Sequence, residues 1–507
     1  MSCSKLGNLS ELTYEVIKYF QNDYSTLHSC VLVNRLWCRL AIPLLWENPF
    51  SIPTGNYKFI EIYLHNLNGE YKINENLLLS NTLFNYPSFI KYLDLLKIST
   101  SVGEWFYTVK TENLDLVKDT KKLIIISLLK IFIENEVNLH TLEIKINHYY
   151  ITYLKDILEL TLQNPNFIRN AKNFKLSILT RSKNNGTLIN NLVLQVIKIH
   201  QNLNKIILSY DNFPFYQSLL LSKDYNCSNT LNTITLYQVN FEGIINLSKS
   251  FEQLNVLESV HIIHCEYLTT SFIQQILNLT KPFKLKSLFI NTISKIDESS
   301  LLLLQKYGGY LKNFSVKYLM CRRFGRELLL AKQILESVIK YCKNIEFLDI
   351  YGITNETVYP VLNLIENIKQ NLNCLSINCG ESNLVSNNSS ILLQNLGQIL
   401  PSKLEYLDLT FCIEISDFKV FLKNSQGTFI KKLLIRDLKQ KVNYDLLPYL
   451  KKYIMKEKRV RYFNFRNLNK ELFDYRDIVK EFKSHNIRVQ KYYNLQFDMY
   501  HFMQNLD

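Results

Sequence analysis

The stretch Leu404-Glu-Tyr-Leu-Asp-Leu-Thr-Phe-Cys412 contains the pattern that decides the fold of this chain. Its apolar residues Leu404, Leu407 and Leu409 occupy the first, fourth and sixth positions of a six-residue unit. Side chains alternate between the two faces of a strand, so this spacing predicts a short strand with one apolar face. Such a strand needs a neighbouring element to cover that face.

The six-residue pattern recurs along most of the chain. It begins at Ile90, Leu139, Ala171, Leu203, Leu231, Leu257, Leu285, Leu311, Ile345, Leu372, Leu404, Ile430 and Val460. The last ten starts are 28, 26, 28, 26, 34, 27, 32, 26 and 30 residues apart. This spacing resembles the period of leucine-rich repeats, which is roughly 20–29 residues. Asn147, Cys265 and Cys412 supply the asparagine or cysteine that this repeat carries at its ninth position.

The segments between the predicted strands have apolar residues at helical spacing. This spacing is clearest in four segments: Thr269–Leu279, Glu327–Tyr341, Thr357–Lys369 and Ser390–Leu400. One strand and one helix cannot bury their apolar faces alone, so neighbouring units must stack. We therefore expect an α/β fold, a curved solenoid with parallel strands on its concave face and helices on its convex face. The region from Gly103 to Val137 departs from the period and is interpreted as an insertion or a degenerate repeat.

Three short amphipathic helices are predicted ahead of the repeats. The first places Leu12, Val16, Ile17 and Phe20 on one face. Three residues are candidate N-caps for the three helices: Ser10, Asp23 and Asn34. Pro43 is expected to end the third helix. These helices bury too little apolar surface to be stable alone, so we expect them to pack on a partner, on the rest of the chain, or on both.

Residues 5–46 resemble an F-box. The resemblance is carried by Leu9, Glu11-Leu12, Val16-Ile17, Phe20, Leu27, Cys30, Val33-Asn34-Arg35 and Trp37, and it departs from the family pattern at Ser10, where proline is usual. F-box proteins bind a Skp-type adaptor and thereby join a cullin–RING ubiquitin ligase. The resemblance implies an apolar adaptor-binding surface formed by Leu9, Leu12, Ile17, Leu27, Val33 and Trp37. The alternative is a helical cap that covers the first repeat.

The third, fifth and seventh positions of each unit should lie on the concave face, because strand side chains alternate. Aromatic and charged residues at these positions are typical of protein-binding surfaces. The candidate client-binding residues are Tyr237, His261, Phe289, Phe347, Asp349, Tyr351, Tyr406, Asp408, Arg436 and Arg466. The alternative is that some of these aromatic side chains simply cover neighbouring strands.

These patterns predict four parts: an F-box-like module at 1–46, a linker with the first repeat and the insertion at 47–138, the repeats at 139–490, and a tail or cap at 491–507. The predicted function is the substrate-recognition subunit of a Skp–cullin–F-box ubiquitin ligase, which binds a protein client on its concave face. The alternative is a non-catalytic scaffold or binding protein that joins no ligase.

Positive charge is concentrated near one end of the chain. Residues 431–491 contain 18 Lys and Arg against 7 Asp and Glu, whereas the whole chain of 507 residues has a net charge of +14. This region could attract an acidic or phosphorylated client, or it could be a solvated basic end of the repeats. Nucleic acid is not expected as a partner, because no recognition motif accompanies the charge.

The sequence contains no motif that predicts catalysis. A Gly-rich phosphate loop, a His-Glu-x-x-His motif, a nucleophile elbow and a Cys-x-x-Cys pair are all missing, so we expect no enzyme, no metal and no cofactor. The nearest approach to a catalytic or metal-binding group is His261 and His264 with Cys265 beside them. His261 should face solvent while Cys265 turns inward, so the strand should point these side chains apart. Without a signal peptide or an apolar run of about 20 residues, we expect a soluble protein of the cytoplasm or nucleus, not of a membrane.

Overall fold

A computed structural model gives the fold of the chain. It describes residues 4–21, 23–52, 57–64, 83–109, 114–147, 151–169, 171, 173–179, 186–199, 203–209, 228–281, 283–291, 297–317, 325–380, 385–439, 446–457, 460–467, 470–504 and 506. The chain forms two compact units, Met1–Asn232 and Thr233–Asp507, which we call unit 1 and unit 2.

Unit 1 begins with three helices, which we call the N-terminal module: α1 (Ser4–Lys18), α2 (Tyr24–Val31) and α3 (Arg35–Leu45). The side chains of Asp23 and Asn34 accept hydrogen bonds from the backbone N–H groups of Thr26 and Trp37, so both predicted N-caps are confirmed. Two boundary predictions are wrong. Ser10 lies inside α1, and α3 continues past Pro43 to Leu45.

The rest of unit 1 alternates strands with helices. Its further elements are α4 (Phe59–Leu64), β1 (Tyr92–Asp94), α5 (Leu95–Val109), α6 (Leu114–Glu134), β2 (Thr141–Asn147), α7 (Ile151–Gln163), α8 (Pro165–Arg169), β3 (Asn173–Leu179), α9 (Gly186–Ile199) and β4 (Leu203–Ser209). Each strand pairs in parallel with the next one along the chain. The irregular region between Gly103 and Val137 contains the second half of α5 and all of α6, so two helices instead of one separate β1 from β2.

Unit 2 contains ten strands among its described residues. They are β5 (Thr233–Tyr237), β6 (Ser259–Ile263), β7 (Lys284–Asn291), β8 (Asn313–Lys317), β9 (Phe347–Tyr351), β10 (Cys374–Asn378), β11 (Lys403–Phe411), β12 (Phe429–Asp437), β13 (Tyr462–Asn467) and β14 (Arg488–Val489). All neighbours in this order pair in parallel.

Helices join most of these strands, as a parallel sheet requires. They are α10 (Leu247–Glu252), α11 (Thr270–Leu277), α12 (Ser299–Tyr307), α13 (Gly325–Tyr341), α14 (Val358–Ile368), α15 (Val385–Ile399), α16 (Ile415–Asn424), α17 (Leu447–Glu457) and α18 (Arg476–Ser484). Two further helices follow β14: α19 (Tyr492–Leu495) and α20 (Met499–Gln504). The four helices predicted by apolar spacing correspond to α11, α13, α14 and α15.

The register of the strands follows the six-residue pattern. Leu407 of β11 pairs with Leu375 of β10 and with Leu433 of β12, and all three side chains are buried. The next inward position repeats this arrangement with Leu409, which pairs with Ile377 and Ile435. Each strand-and-helix repeat therefore adds the same apolar positions to the core. The predicted repetitive α/β fold is confirmed. The short strand β14 was not predicted.

Helix α15 approaches α16 closely at Gly397. A Cβ atom at this position would lie 2.7 Å from the Phe421 backbone oxygen and 3.0 Å from Asn424 Cβ. We predict that Gly397→Ala lowers the free energy of unfolding by about 1–3 kcal/mol, because the helices must separate, although alanine favours the helix by about 1 kcal/mol.

Urea unfolding followed by circular dichroism measures this effect. Gly427→Ala is the matched control, because a Cβ atom there meets nothing within 4 Å. We expect the control to change the stability by less than about 0.5 kcal/mol. Equal effects of the two substitutions would refute the close-approach argument.

Candidate functional site

The first candidate site is one face of strands β5–β13, which we call the strand face. It carries the third, fifth and seventh positions of each repeat. Five of its ten predicted client-binding residues are half-buried: Tyr237, Asp349, Tyr351, Arg436 and Arg466. The other five are buried: His261, Phe289, Phe347, Tyr406 and Asp408. Residues predicted to contact a client are therefore already covered within the chain.

His261 is the clearest correction on this face. It was expected to face solvent, but only 1% of its surface is exposed. Its Nδ1 atom lies 2.7 Å from the Ser287 hydroxyl oxygen on the next strand. Neighbouring side chains on adjacent parallel strands are close enough to form such a hydrogen bond. The His261 imidazole therefore links two strands and is not available to a client.

The residues that cover much of the strand face come from the end of the chain. Residues 491–504, which we call the C-terminal segment, contain α19 and α20 and run along this face. Ring centroids of Phe497 and Phe347 lie 4.3 Å apart, and Phe502 lies 5.6 Å from Phe289 and 5.5 Å from Phe347. Phe289 and Phe347 are themselves stacked at 5.6 Å. Four phenylalanine rings thus form one aromatic cluster.

A hydrogen-bonded network on β11 binds the same segment. The Tyr492 hydroxyl donates to Asp408 Oδ2 at 2.8 Å, and the Tyr406 hydroxyl donates to the same oxygen at 3.1 Å. The Phe497 backbone N–H donates to the Tyr406 hydroxyl oxygen at 3.1 Å. Leu495 packs against Tyr406 and Leu434 beside this network. The segment therefore contributes both apolar and polar contacts.

Charged residues anchor the start of the C-terminal segment. The Arg466 guanidinium carbon lies 5.1 Å from the centroid of the Tyr492 ring, within the range of a cation–π interaction. Arg466 Nη1 also lies 3.7 Å from Glu471 Oε1, while Glu471 Oε2 accepts a hydrogen bond from the Tyr492 backbone N–H at 3.3 Å. Arg466 thus contacts the chain's own tyrosine on the face where we expected it to contact a client.

Burial raises the pKa of the Asp408 carboxyl from 3.8 to about 6. The nearby Asp349 carboxylate acts in the same direction, whereas the hydroxyls of Tyr492 and Tyr406 and the charge of Arg436 oppose it. Burial also raises the pKa of both tyrosines. A carboxyl whose pKa is raised in the folded state stabilises that state below pH 4, and this contribution is lost as the pH rises through about 6.

We predict that this pH dependence disappears in Asp408→Asn, which keeps a side-chain oxygen but cannot ionise. Between pH 4 and pH 7, the free energy of unfolding of the wild type should fall by about 3 kcal/mol relative to that of the variant. Urea titrations of both proteins at several pH values measure the difference. Parallel pH profiles would show that Asp408 is not buried by the C-terminal segment.

The second candidate site is the outer surface of the N-terminal module. Its core consists of Ile17, Leu27, Cys30, Ala41 and Leu44. Ile17 and Leu27 are fully buried there, so the prediction that they form part of an adaptor-facing surface is corrected. Trp37 is half-buried and packs against the same core. Leu9 lies in α1, but its side chain is outside the described residues.

Exposed apolar residues nevertheless remain on all parts of this module. Of the residues predicted to contact the adaptor, Leu12 is 66% exposed and Val33 is 57% exposed. Four further exposed apolar residues were not predicted as contacts: Val16, Tyr19, Leu32 and Leu36. Leu12 and Val16 follow an i, i+4 spacing, so they lie on one side of α1, whereas Ile17 lies on its buried side. Tyr19 follows just beyond the last residue of α1. The predicted single face for Leu12, Val16 and Ile17 is therefore wrong.

A buried ion cluster lies on the strands of unit 1. Lys145 Nζ on β2 lies 2.5 Å from Asp94 Oδ2 and 3.3 Å from Glu143 Oε1, and only 1% of the Lys145 side chain is exposed. Burial raises the pKa of the Glu143 carboxyl, while the Lys145 charge lowers it. Sequence reasoning missed this cluster, although Asp94 and Glu143 occupy paired positions of adjacent strands.

His264 and Cys265 follow the end of β6. Cys265 is buried and its thiol donates to the Leu236 backbone oxygen at 3.3 Å, as the inward ninth position predicted. Burial raises the pKa of this thiol to about 12 and lowers the pKa of His264 to about 4. Within the described part of the chain, no three His, Cys, Asp or Glu side chains are grouped as metal ligands.

The basic region is partly neutralised by its own neighbours. Among its described residues, four lysines form ion pairs: Lys431 with Glu405, Lys439 with Glu414, Lys451 with Glu481, and Lys480 with Asp477. A cleft of about 190 Å³ between α16 and α17 is lined by Lys419, Leu422, Lys423, Gln426, Tyr449, Lys452 and Tyr453. These lining residues include three lysines and no carboxylate, so the cleft suits an anionic side chain, although only Lys452 of the three belongs to the basic region.

No protein-family model and no curated protein sequence matches the chain. The resemblance to an F-box and to leucine-rich repeats thus depends on the residues quoted above. Among the helices of the described residues, none is both long enough and apolar enough to cross a membrane.

Proposed function

We propose that the chain is the substrate-recognition subunit of a Skp–cullin–F-box ubiquitin ligase. The N-terminal module binds a Skp-type adaptor, and the repeats bind a protein client. The observation that carries the first half is the exposed apolar surface of the module. Leu12, Val16, Leu32, Val33 and Leu36 are all more than 40% exposed, whereas the described core of the module is formed by other residues.

Exposed apolar residues at this density indicate an interface, because burying them against a partner removes their contact with water. A cap that only covers the first repeat would turn its apolar residues towards that repeat. Leu32, at 75% exposed, and Val33 lie at the junction of α2 and α3 and still face solvent. This arrangement supports an adaptor-binding module over a simple cap.

The second half of the proposal depends on the strand face. Aromatic and charged side chains cluster there, and they already bind one peptide segment, which belongs to the chain itself. A surface that holds aromatic side chains together with a buried carboxylate has the character of a protein-binding hot spot. We therefore assign client recognition to this face.

Mixing the purified full-length chain with the Skp-type adaptor of the same organism tests the first half. We expect an equimolar complex that co-elutes in size-exclusion chromatography. If the folded chain and the adaptor elute separately at micromolar concentrations, the proposal fails, and a scaffold that joins no ligase becomes the better description. Adding the cullin to the complex then tests whether the cullin-binding site of the adaptor remains accessible.

A further inference from the structure

We propose that the C-terminal segment is an internal ligand of the strand face, and that a client displaces it with a peptide that carries similarly spaced aromatic side chains. This inference rests on the client-binding half of the proposed function and is independent of the adaptor. It identifies the kind of partner that the face fits: an extended peptide with a tyrosine followed by two aromatic residues.

The contacts of the segment resemble those of a bound peptide more than those of a further repeat. Strand β14 pairs with β13 through two residue pairs, Tyr462 with Arg488 and Phe463 with Val489. After Val489, residues 490–504 form no further strand in the structure. The segment lies across the side chains of β7–β12, and it is joined to them by its aromatic side chains and by the Phe497 backbone N–H, without a backbone ladder.

Three aromatic residues define the pattern of the segment, because Tyr492, Phe497 and Phe502 follow one another at intervals of five residues. Each occupies a different place on the face. The Tyr492 hydroxyl reaches Asp408, the Phe497 ring lies against Phe347, and the Phe502 ring stacks near Phe289. A client segment with aromatic side chains at comparable spacing would satisfy the same three places.

Phe497 and Phe502 lie over the aromatic pair of the face, and the His264 ring meets Phe289 edge-on at 5.8 Å. Phe289 is fully buried and Phe347 is 4% exposed in the presence of Phe497 and Phe502. Without these two rings, water would reach both side chains, which is unfavourable by roughly 25 cal/mol for each Å² of apolar surface. The uncovered face would therefore favour any aromatic peptide that restores this contact.

Tethering explains why the segment occupies its own site in the absence of a client. A segment joined to the face by a short connection has an effective concentration of about 1 mM or more. A free peptide must outcompete it, so the wild-type chain should bind such a peptide weakly. Weakening the tethered segment should make the same face available to the peptide.

A labelled peptide with the sequence of residues 490–507 tests this prediction on the full-length chain. Its affinity is measured by fluorescence anisotropy for the wild type and for the double variant Phe497→Ala, Phe502→Ala. We expect the double variant to bind the peptide at least tenfold more tightly than the wild type. Tyr493→Ala is the matched control, because Tyr493 lies in the same segment but is 63% exposed; it should behave like the wild type.

A second peptide, with both phenylalanines replaced by alanine, should bind none of the proteins. Circular dichroism verifies that the double variant is folded. If that variant unfolds, Tyr492→Phe replaces it, since this change keeps the ring and removes the hydrogen bond to Asp408. Equal affinities for the wild type and the folded variant, or no binding by either, overturn the inference.

The test also separates this inference from the proposed function. The double variant should still bind the Skp-type adaptor as the wild type does, because both substitutions lie in unit 2 and the N-terminal module lies in unit 1. If the chain binds the peptide as expected but binds no adaptor, the inference about the C-terminal segment stands and the ligase proposal fails. If the chain binds the adaptor but no peptide, the ligase proposal stands and this inference fails.

Discussion

Replacing Leu12 with aspartate should lower the affinity of the chain for the Skp-type adaptor by about a hundredfold and leave the N-terminal module folded. Leu12 is 66% exposed, so the new carboxylate is solvated in the free chain. In the complex the same carboxylate would be buried without a partner, which costs several kcal/mol. Titration calorimetry with the purified adaptor measures the loss.

Ile17→Asp provides the contrast, because Ile17 is fully buried in the core of the same module. This change should cost about 4 kcal/mol or more in stability and unfold the module. Tryptophan fluorescence distinguishes the two outcomes, since the packing of Trp37 depends on that core. Leu302→Asp, an exposed leucine in unit 2, should alter neither stability nor adaptor binding. Full adaptor affinity in Leu12→Asp would remove α1 from the proposed interface.

Replacing Lys145 with methionine should lower the free energy of unfolding of unit 1 by about 3–5 kcal/mol. Lys145 is the cation that Asp94 and Glu143 share, and its side chain is buried. Without its charge, two carboxylates remain close together in a site with little access to water. They must then lose their charge or draw water into the site, and both responses are unfavourable.

Tryptophan fluorescence reports this unfolding selectively, because the three tryptophans of the chain, Trp37, Trp46 and Trp105, all lie in unit 1. Lys122→Met is the matched control. Lys122 also forms an ion pair, with Asp156 at 2.8 Å, but 43% of its side chain is exposed. We expect the control to cost less than about 1 kcal/mol. A similar small effect at Lys145 would mean that water already solvates its two carboxylates.

The repetitive fold could be predicted because its cause is local. Each predicted start, from Ile90 to Val460, lies within two residues of the first residue of a strand in the structure. The apolar residues at the first, fourth and sixth positions of each repeat are buried when the strand stacks on the next repeat, and the same arrangement recurs along the chain. Strand β14 has two residues and shows no such pattern, so it was missed.

The candidate sites were less predictable because they depend on contacts between distant parts of the chain. The strand register correctly placed Phe289, Phe347 and Tyr406 on one face, but it carries no information about what lies above that face. Tyr492 bonds to Asp408 across 84 residues, and Phe497 bonds to Tyr406 across 91. The spacing of the aromatic residues 492, 497 and 502 could have indicated a segment that packs on this face. It matches neither a helical nor a strand period, so the sequence patterns used above do not detect it.

The N-terminal module shows a related limit. Apolar residues occur on two sides of α1, and the sequence alone did not show which side packs inward. The structure assigns Ile17 to the core and leaves Leu12, Val16 and Tyr19 exposed. This excess of apolar surface is what supports a partner-binding role.

Proximity labelling in cells tests the central proposal, which is that the N-terminal module binds the ligase while the repeats bind the client. The labelling enzyme is fused to the wild-type chain and to Leu12→Asp. We predict that the wild type labels a Skp-type adaptor and a cullin, and that the variant loses both but keeps the remaining labelled proteins, among them the client. Absence of the adaptor from the wild-type set, or its equal labelling by the variant, would contradict the proposal.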